Sequence, residues 1–342
     1  MNFSSDNILV YDIGGTKLRG AIYSPRTKTI TAQVVKPTPN RILCPTLSAE
    51  ELYKETLNSI RTVSNELLKH ESVSAVTVAF PGPVDRQGRV IAAPGIWGRN
   101  PSGPIDMLAD LQTIWPQMRV HIVNDLTAAG YRYLESKTES FCILTVSTGI
   151  GSKIFIKGEP QLGADGTGGE IGHAKVLLAE NAPLCDCGEP GHLQAISSGR
   201  GVLQTIRALA QIDSPAFKAS KLGQNRTSLA EISNHLIVEA FRASDPFTVQ
   251  IIHASLIPLA LVLLNLYLAL GLDRFIIIGG FALALGEPYR LALVKLIGDY
   301  CWESQVRWDE MIQLGIDDDQ SGLIGGAKLA ADSDYICRHK KK

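Results

Sequence analysis

An α/β fold built by duplication is what this sequence predicts, on three observations. Short apolar runs suited to buried strands alternate with helical stretches, as in layered α/β proteins. A strand, a glycine-containing turn with hydroxyls and a second strand occur twice, over 8–23 and again over 141–156. The length of 342 residues suits two ordinary domains or one large one, and 45% hydrophobic content is enough for real cores.

The first strand, 8–11, runs into Asp12-Ile13-Gly14-Gly15-Thr16-Lys17, and a second strand follows over 18–23. Glycines at the tip let backbone N–H groups approach a phosphate closely. The Thr16 hydroxyl and the Lys17 charge add donors, and Asp12 is placed to hold magnesium directly or through water. From these residues alone, a Gly-Gly hairpin without a ligand reads the same way. Neither a Gly-x4-Gly-Lys-Ser/Thr loop nor a Gly-x-Gly-x-x-Gly fingerprint follows the first strand, which excludes two common phosphate folds.

An amphipathic helix is expected over 47–70, capped by Ser48 and burying Leu52, Ile60, Val63 and Leu67. The strand over 73–80 ends in Pro81-Gly82-Pro83-Val84-Asp85, a rigid loop at the strand's carboxyl end, where open α/β sheets place ligands. The turn-rich loop 93–100 carries the indole of Trp97 and the amide of Asn100, and suits a carbohydrate site and an ordinary surface equally.

A strand over 120–123 ends at Asn124-Asp125, where a helix begins. A carboxylate there is placed to take the proton of a substrate hydroxyl in a phosphoryl transfer, and equally to cap the helix. The second hairpin joins strands 141–146 and 153–156 through Ser147-Thr148-Gly149-Ile150-Gly151-Ser152 and repeats the first, so two duplicated halves are expected to clasp a nucleotide. A helical region starts at 197–201, and 245–270 is a long apolar helix. Strand 274–278 feeds Gly279-Gly280, bare backbone on which a flat ligand such as adenine can lie, and small residues over 322–327 open the last helix.

Cys185, Cys187 and His192 lie in the tight loop CDCGEPGH, with His173 upstream in Gly-Glu-Ile-Gly-His. Two thiolates and two imidazoles make a tetrahedral set for zinc, and Asp186, Glu189 and Pro190 make the loop too polar for a core.

The net charge of −1 argues against a nucleic-acid surface, and the basic tail 338–342 reads as a solvated end. Residues 1–7 are polar and Asp12 cuts the next apolar run short, so no signal peptide is expected. The apolar segment 256–272 holds Pro258 and Asn265 and falls short of a membrane span. A cytoplasmic protein is therefore expected, with Cys44, Cys142, Cys301 and Cys337 as packing residues or isolated thiols.

Together these residues resemble the ROK family of sugar kinases, in the actin, hexokinase and Hsp70 superfamily, over about 9–329. The resemblance implies a two-lobed actin-like, ribonuclease H-like ATPase fold with duplicated lobes. It puts the small lobe at 1–123, with a helix at about 328–342 packing back on it, and the large lobe, with the zinc loop and adenosine site, at 124–327. It implies Asp125 as general base. Asn100, Asn124, Glu170, His173 and Gln194 would bind the substrate alongside Asp125, and His173, Cys185, Cys187 and His192 would hold a structural zinc. Asp12, Gly14, Gly15, Thr16, Lys17, Thr148, Gly149 and Gly151 would cradle the phosphates of ATP and magnesium, with Gly279 and Gly280 at the adenosine. A homodimer or higher homo-oligomer, with no nucleic-acid or membrane partner, follows from the same resemblance.

Three positions depart from the family pattern. His192 replaces a third cysteine, Gln194 replaces a glutamate that contacts the sugar, and Lys153 stands where a small residue is usual. An amide both donates and accepts, whereas a carboxylate only accepts, so an amino sugar, an N-acetylhexosamine or a cyclitol competes with glucose as the acceptor. The Lys153 ammonium would reach a phosphate or an anionic substrate, or point to solvent. ROK-type repressors carry a DNA-binding segment before the first phosphate motif, and only eleven residues precede Asp12 here, so a repressor is not expected. A non-catalytic sugar sensor is the remaining alternative.

Overall fold

The computed structural model describes residues 7–69, 71–98, 102–212, 214–224 and 228–332. The chain forms two compact units, one from 1–135, 160–168 and 318–342, the other from 136–159 and 169–317.

The first unit is built on a sheet of β1 (Ile8–Ile13), β2 (Lys17–Ser24), β3 (Thr29–Pro37), β4 (Ala75–Phe80) and β5 (Arg119–Asn124), in the order β3-β2-β1-β4-β5. The β1-β2-β3 meander is antiparallel, and β4 and β5 add in parallel. Every residue of β4 and nearly every residue of β1 is buried, so these strands read as continuous apolar runs. Edge strand β3 alternates exposed and half-buried residues, a one-sided pattern that the sequence reading passed over.

Helix α1 (Ala49–Leu67) starts at a capping box: Ser48 Oγ accepts from Glu51 N at 3.2 Å while Glu51 Oε2 accepts from Ser48 N at 2.8 Å. Its buried face includes Leu52, Ile60, Val63 and Leu67, as the spacing predicts. There the Tyr11 hydroxyl of β1 meets Ser64 Oγ at 2.7 Å, which satisfies a buried polar group. Helices α2 (Met107–Ile114) and α3 (Asp125–Tyr133) follow, and the helix Ser321–Ala331 packs on α3, β1 and β4.

The second unit repeats the plan. Strands β6 (Phe141–Val146), β7 (Ile150–Ile156), β8 (Glu159–Pro160), β9 (Arg274–Ile278) and β10 (Ile312–Leu314) lie in the order β10-β9-β6-β7-β8. As β1 does in the first sheet, β6 pairs antiparallel with the next strand and parallel with a later one, so the two sheets share one connectivity. This is the duplication that the paired hairpins predict.

The units divide the chain differently from the expected break at 123/124. Asn124 and Asp125 belong to the first unit, because β5 pairs with β4 as far as Phe80↔Asn124 and α3 packs on the helix Ser321–Ala331. Segment 160–168 also joins the first unit, where Arg86 Nη2 donates to Leu162 O at 3.2 Å. A helix spans Ser321–Ala331, and of the helix expected at about 328–342 the positions beyond 332 lie outside the described residues.

Contrary to the expectation that the apolar stretch falls short of a membrane span, the helix Pro246–Leu270 is 25 residues long and by length and composition alone is apolar enough to cross one. Ile252, Leu256, Leu259 and Leu263 are fully buried in the core of the second unit, which accounts for one face of the helix, while Ile257, Leu261, Leu268 and Leu270 are exposed.

Gly325 on the helix Ser321–Ala331 sits so close to α3 that an added Cβ would lie 1.8 Å from Ala128 O. Gly325→Ala should destabilise the protein by about 3 kcal/mol or more, because backbone must shift to make room. A thermal melt matching the wild type would show that the two helices are not so closely packed.

Candidate active site and metal centre

The first hairpin turn projects its backbone through contacts that lie far off in sequence. Gly14 N donates to Lys17 O at 2.9 Å and closes the turn. Thr38 Oγ1 donates to Gly14 O at 2.8 Å, Asn40 Nδ2 to Gly15 O at 2.7 Å, and Thr38 N to Thr16 O at 3.0 Å. Buried Asn40 also accepts from Ile42 N and Leu43 N. Sequence reasoning missed this clamp; the Thr-Pro-Asn turn signal after β3 was its only local trace. Thr16 and Lys17 are exposed at the tip.

Asp12 lies beneath the hairpin, between Arg19 and the helix Ser321–Ala331. Arg19 Nη1 is 3.4 Å from Asp12 Oδ2, and Arg19 also pairs with Asp319. Burial raises the Asp12 carboxyl to about 6; Arg19 opposes the rise and Asp319 adds to it. A carboxylate that is costly to ionise without a further cation suits a site for a metal ion.

Asn124 caps α3: its Oδ1 accepts from Leu126 N at 3.0 Å and Thr127 N at 3.2 Å. The cap is therefore Asn124 and not Asp125, which resolves one of the two readings of that carboxylate. Asp125 Oδ1 accepts from Leu126 N at 2.8 Å and from Asn124 Nδ2 at 2.9 Å, which fixes the carboxylate at the helix N-terminus. Asn124 Nδ2 also donates to Gly82 O at 3.0 Å and so ties Asp125 to the loop after β4. In that loop buried Asp85 accepts from Gln87 N, Arg89 N and Arg89 Nε.

Trp97 does not offer its face to a ligand. It is fully buried, with its ring centroid 5.4 Å from Phe80 and 5.7 Å from Tyr53, so the indole is core. Asn100 lies outside the described residues.

In the second unit, the turn between β6 and β7 has Ser147 N donating to Gly149 O at 2.9 Å, with Thr148 exposed at its tip and Gly151 half-buried on β7. Gly199 N ties back to Ser147 O at 2.8 Å. Gly279 follows β9 and presses on Thr145 and Val146 of β6, while Gly280 has open space where a side chain would be. The segment 169–173 crosses β7: Ser152 Oγ donates to Gly169 O and accepts from Ile171 N. Gly172 is required there, since a Cβ would lie 2.1 Å from Ile150 O. Glu170 is exposed and pairs with Lys153, whose side chain is buried and does not point to solvent.

His173, Cys185, Cys187 and His192 come together, with one ligand atom from each within 4.8 Å of the others. His173 Nδ1 is 3.4 Å from His192 Nδ1 and 3.9 Å from Cys185 Sγ, and Cys187 Sγ is 3.2 Å from His192 Nδ1. Bonds of about 2.0–2.3 Å to a tetrahedral ion give donor separations of roughly 3.3–3.8 Å, so these donors fit one small ion. Burial alone would raise the Cys185 thiol. The Cys187 N–H, the Gln194 amide, the Cys187 side chain and the Arg200 charge outweigh it, and the net shift is downward, toward the thiolate a metal needs. Gln194 Nε2 donates to Cys185 Sγ at 2.8 Å and its Oε1 accepts from Ile150 N at 3.4 Å. The amide thus links the metal loop to the second hairpin. Arg200 pairs with Asp186 between the two cysteines, a tether that sequence reasoning did not foresee.

The Asp12 carboxyl binds its proton more tightly in the folded chain than in the unfolded one. The stability it contributes is therefore present below about pH 4 and lost as pH rises through about 6. In metal-free protein, Asp12→Asn should raise stability at pH 7.5 by about 2 kcal/mol, a gain that closes near pH 4. Equal shifts in melting temperature at the two pH values would contradict this.

A model of the ROK family matches residues 9–333. The chain is 38% identical over 335 residues to a C(7)-cyclitol 7-kinase of Streptomyces hygroscopicus subsp. jinggangensis (strain 5008), covering 95% of this chain and 94% of that one. It is 31% identical over 303 residues to a 2-epi-5-epi-valiolone 7-kinase of Actinoplanes sp., covering 84% and 80%. Among solved structures, the ROK hexokinase of Thermus thermophilus superposes with a TM-score of 0.69 at 25% identity, over 94% of this chain and 97% of that one. With the family's pattern running through nearly the whole sequence and the fold duplicated as in its solved relative, this chain belongs to the ROK family.

Proposed function

We propose that this chain is an ATP-dependent carbohydrate kinase whose acceptor is a seven-carbon cyclitol, phosphorylated on its exocyclic 7-hydroxyl. The observation that carries the cyclitol is the 38% identity over 95% of the chain to a kinase of that class, supported by a second relative whose name also specifies a 7-kinase. The exchange of an acceptor-only glutamate for Gln194 fits an acceptor other than glucose.

In this reading Asp125 accepts the proton of the attacking hydroxyl, and its oxygen–phosphorus bond forms as the bond from the γ-phosphorus to ADP breaks. The bonds from Leu126 N and Asn124 Nδ2 orient the carboxylate, and the helix N-terminus stabilises its charge. The two clamped turns supply N–H groups to the phosphates, with Thr16, Lys17 and Thr148 adding donors. Asp12 would hold magnesium, which offsets phosphate charge. Gly280 would lie under the adenosine, with Gly279 turning the chain at that point.

Glu170 and His173 would bind ring hydroxyls, with Asn124 and Asn100 assigned to the same task. Gln194 is assigned to the acceptor as well, and its amide also holds Cys185 and the turn at Ile150. Zinc on His173, Cys185, Cys187 and His192 would be structural, fixing the His173 ring where an acceptor is held. The free thiols among the described cysteines suit a reducing, cytoplasmic setting, and a homodimer or higher homo-oligomer is the proposed assembly.

The decisive assay is ATP consumption with magnesium over seven-carbon cyclitols, N-acetylhexosamines, amino sugars and hexoses. A C7 cyclitol should be turned over best and glucose poorly, and Asp125→Asn should lower kcat about 10³-fold. Efficient turnover of glucose would remove the cyclitol assignment. Binding of ATP or a ring compound with no phosphorylation of any acceptor would make the protein a sensor.

Purified protein should carry about one zinc per chain, with most of it lost in His192→Ala. Full zinc in that variant would take His192 out of the ligand set.

A further inference from the structure

Lys153 is a lysine in the interior of β7, with a side chain only 1% exposed. An ammonium so enclosed is retained only against a counter-charge. Glu170 supplies it: Lys153 Nζ lies 2.5 Å from Glu170 Oε1. The meeting is built into the fold, because Ser152, next to Lys153, grips Gly169 and Ile171 on either side of Glu170. Glu170 is itself 42% exposed, so its carboxylate is anchored from below and open from above.

We propose that Lys153 is a positioning and specificity-determining residue, which holds Glu170 by one oxygen and cancels its charge so that the site takes a neutral polyhydroxylated ring and disfavours one bearing an ammonium. The inference rests on the kinase reading above. Two consequences follow from the geometry. One carboxylate oxygen is committed to the lysine, so the other meets a ligand hydroxyl from a fixed direction instead of from a freely rotating side chain. The pair also carries no net charge. An isolated carboxylate would attract a protonated amine, whereas here the ammonium beneath repels it, and discrimination comes from the repulsive partner as much as from the attractive one. Amino sugars and amino cyclitols are thereby set apart from neutral cyclitols.

The test uses the full-length protein, Lys153→Met, Glu170→Gln and the double variant. The acceptors are a neutral C7 cyclitol and the same ring with one hydroxyl replaced by a primary amine. Lys153→Met should raise KM for the neutral ring about tenfold, with kcat and KM for ATP within about twofold of wild type. It should also move the ratio of kcat/KM, amine over neutral ring, about tenfold toward the amine. The two single effects on KM should not add in the double variant. An unchanged KM and an unchanged ratio in Lys153→Met, or strict additivity, would overturn the proposal.

Glu170→Gln takes the carboxylate away from a buried ammonium and should melt well below wild type, whereas the double variant should recover. The recovery guards against misreading a folding defect, and it tests the pair even without activity. Its absence would also overturn the proposal. Failure of the wild type to phosphorylate any acceptor would sink the kinase reading instead, and the melting cycle would still report on the pair.

Discussion

Backbone N–H groups at a hairpin tip can face an anion only if the carbonyls beside them are satisfied elsewhere. Much of the first unit is arranged around that constraint. The carbonyls of Gly14, Gly15 and Thr16 are each taken by Thr38 or Asn40, groups brought back by the whole length of β2 and β3. Without such partners the turn would be free to rotate its peptides, and a pre-formed cradle would become a flexible loop. Preorganisation of this kind lets a phosphate site act without ordering itself at the moment of binding. In the second unit, Gly199 N takes the carbonyl of Ser147 in the same way, whereas Gln194 Oε1 fixes the turn by accepting from Ile150 N.

What the sequence disclosed was chemistry carried by neighbouring residues. Both glycine turns, the Asn124-Asp125 pair at a strand end and the Cys-x-Cys loop announce themselves because each is complete within a few positions. The family resemblance added His173 and Glu170 for the same reason. The duplication was visible too, since two hairpins with the same hydroxyl-bearing turn leave a repeated trace. Contacts that depend on long-range return of the chain were not visible. The Asn40 clamp, the Arg200 to Asp186 tether and the Arg19 pairing with Asp319 join residues with no local reason to be associated. Trp97 misled because an indole in a turn-rich loop looks exposed, whereas Phe80 and Tyr53 bury it. Lys153 was read as open to solvent or to a phosphate, because nothing in its own strand reveals that another segment lies across it.

Electrostatics in both units follow a common pattern. Charged groups are drawn into poorly hydrated places and matched there by opposite charges. Asp12 has Arg19 against it, Asp85 has Arg89 and Lys153 has Glu170. Such pairs add little net stability compared with apolar residues of the same shape, but breaking one is expensive. They specify geometry beside the first hairpin turn, under the loop after β4 and behind the segment that carries His173.

The chain passes between the two units four times, at 135/136, 159/160, 168/169 and 317/318. Neither unit is therefore a continuous piece that can be expressed alone by simple truncation. During synthesis, the sheet of β1, β2, β4 and β5 emerges early, but the face that receives the helix Ser321–Ala331 stays uncovered until nearly all the chain has been made. The second unit, by contrast, has all its strands before that helix arrives. Folding by this order leaves the earlier-made half waiting on the later-made one, and an exposed apolar face in the interval is where a nascent chain is most open to aggregation and to chaperone capture.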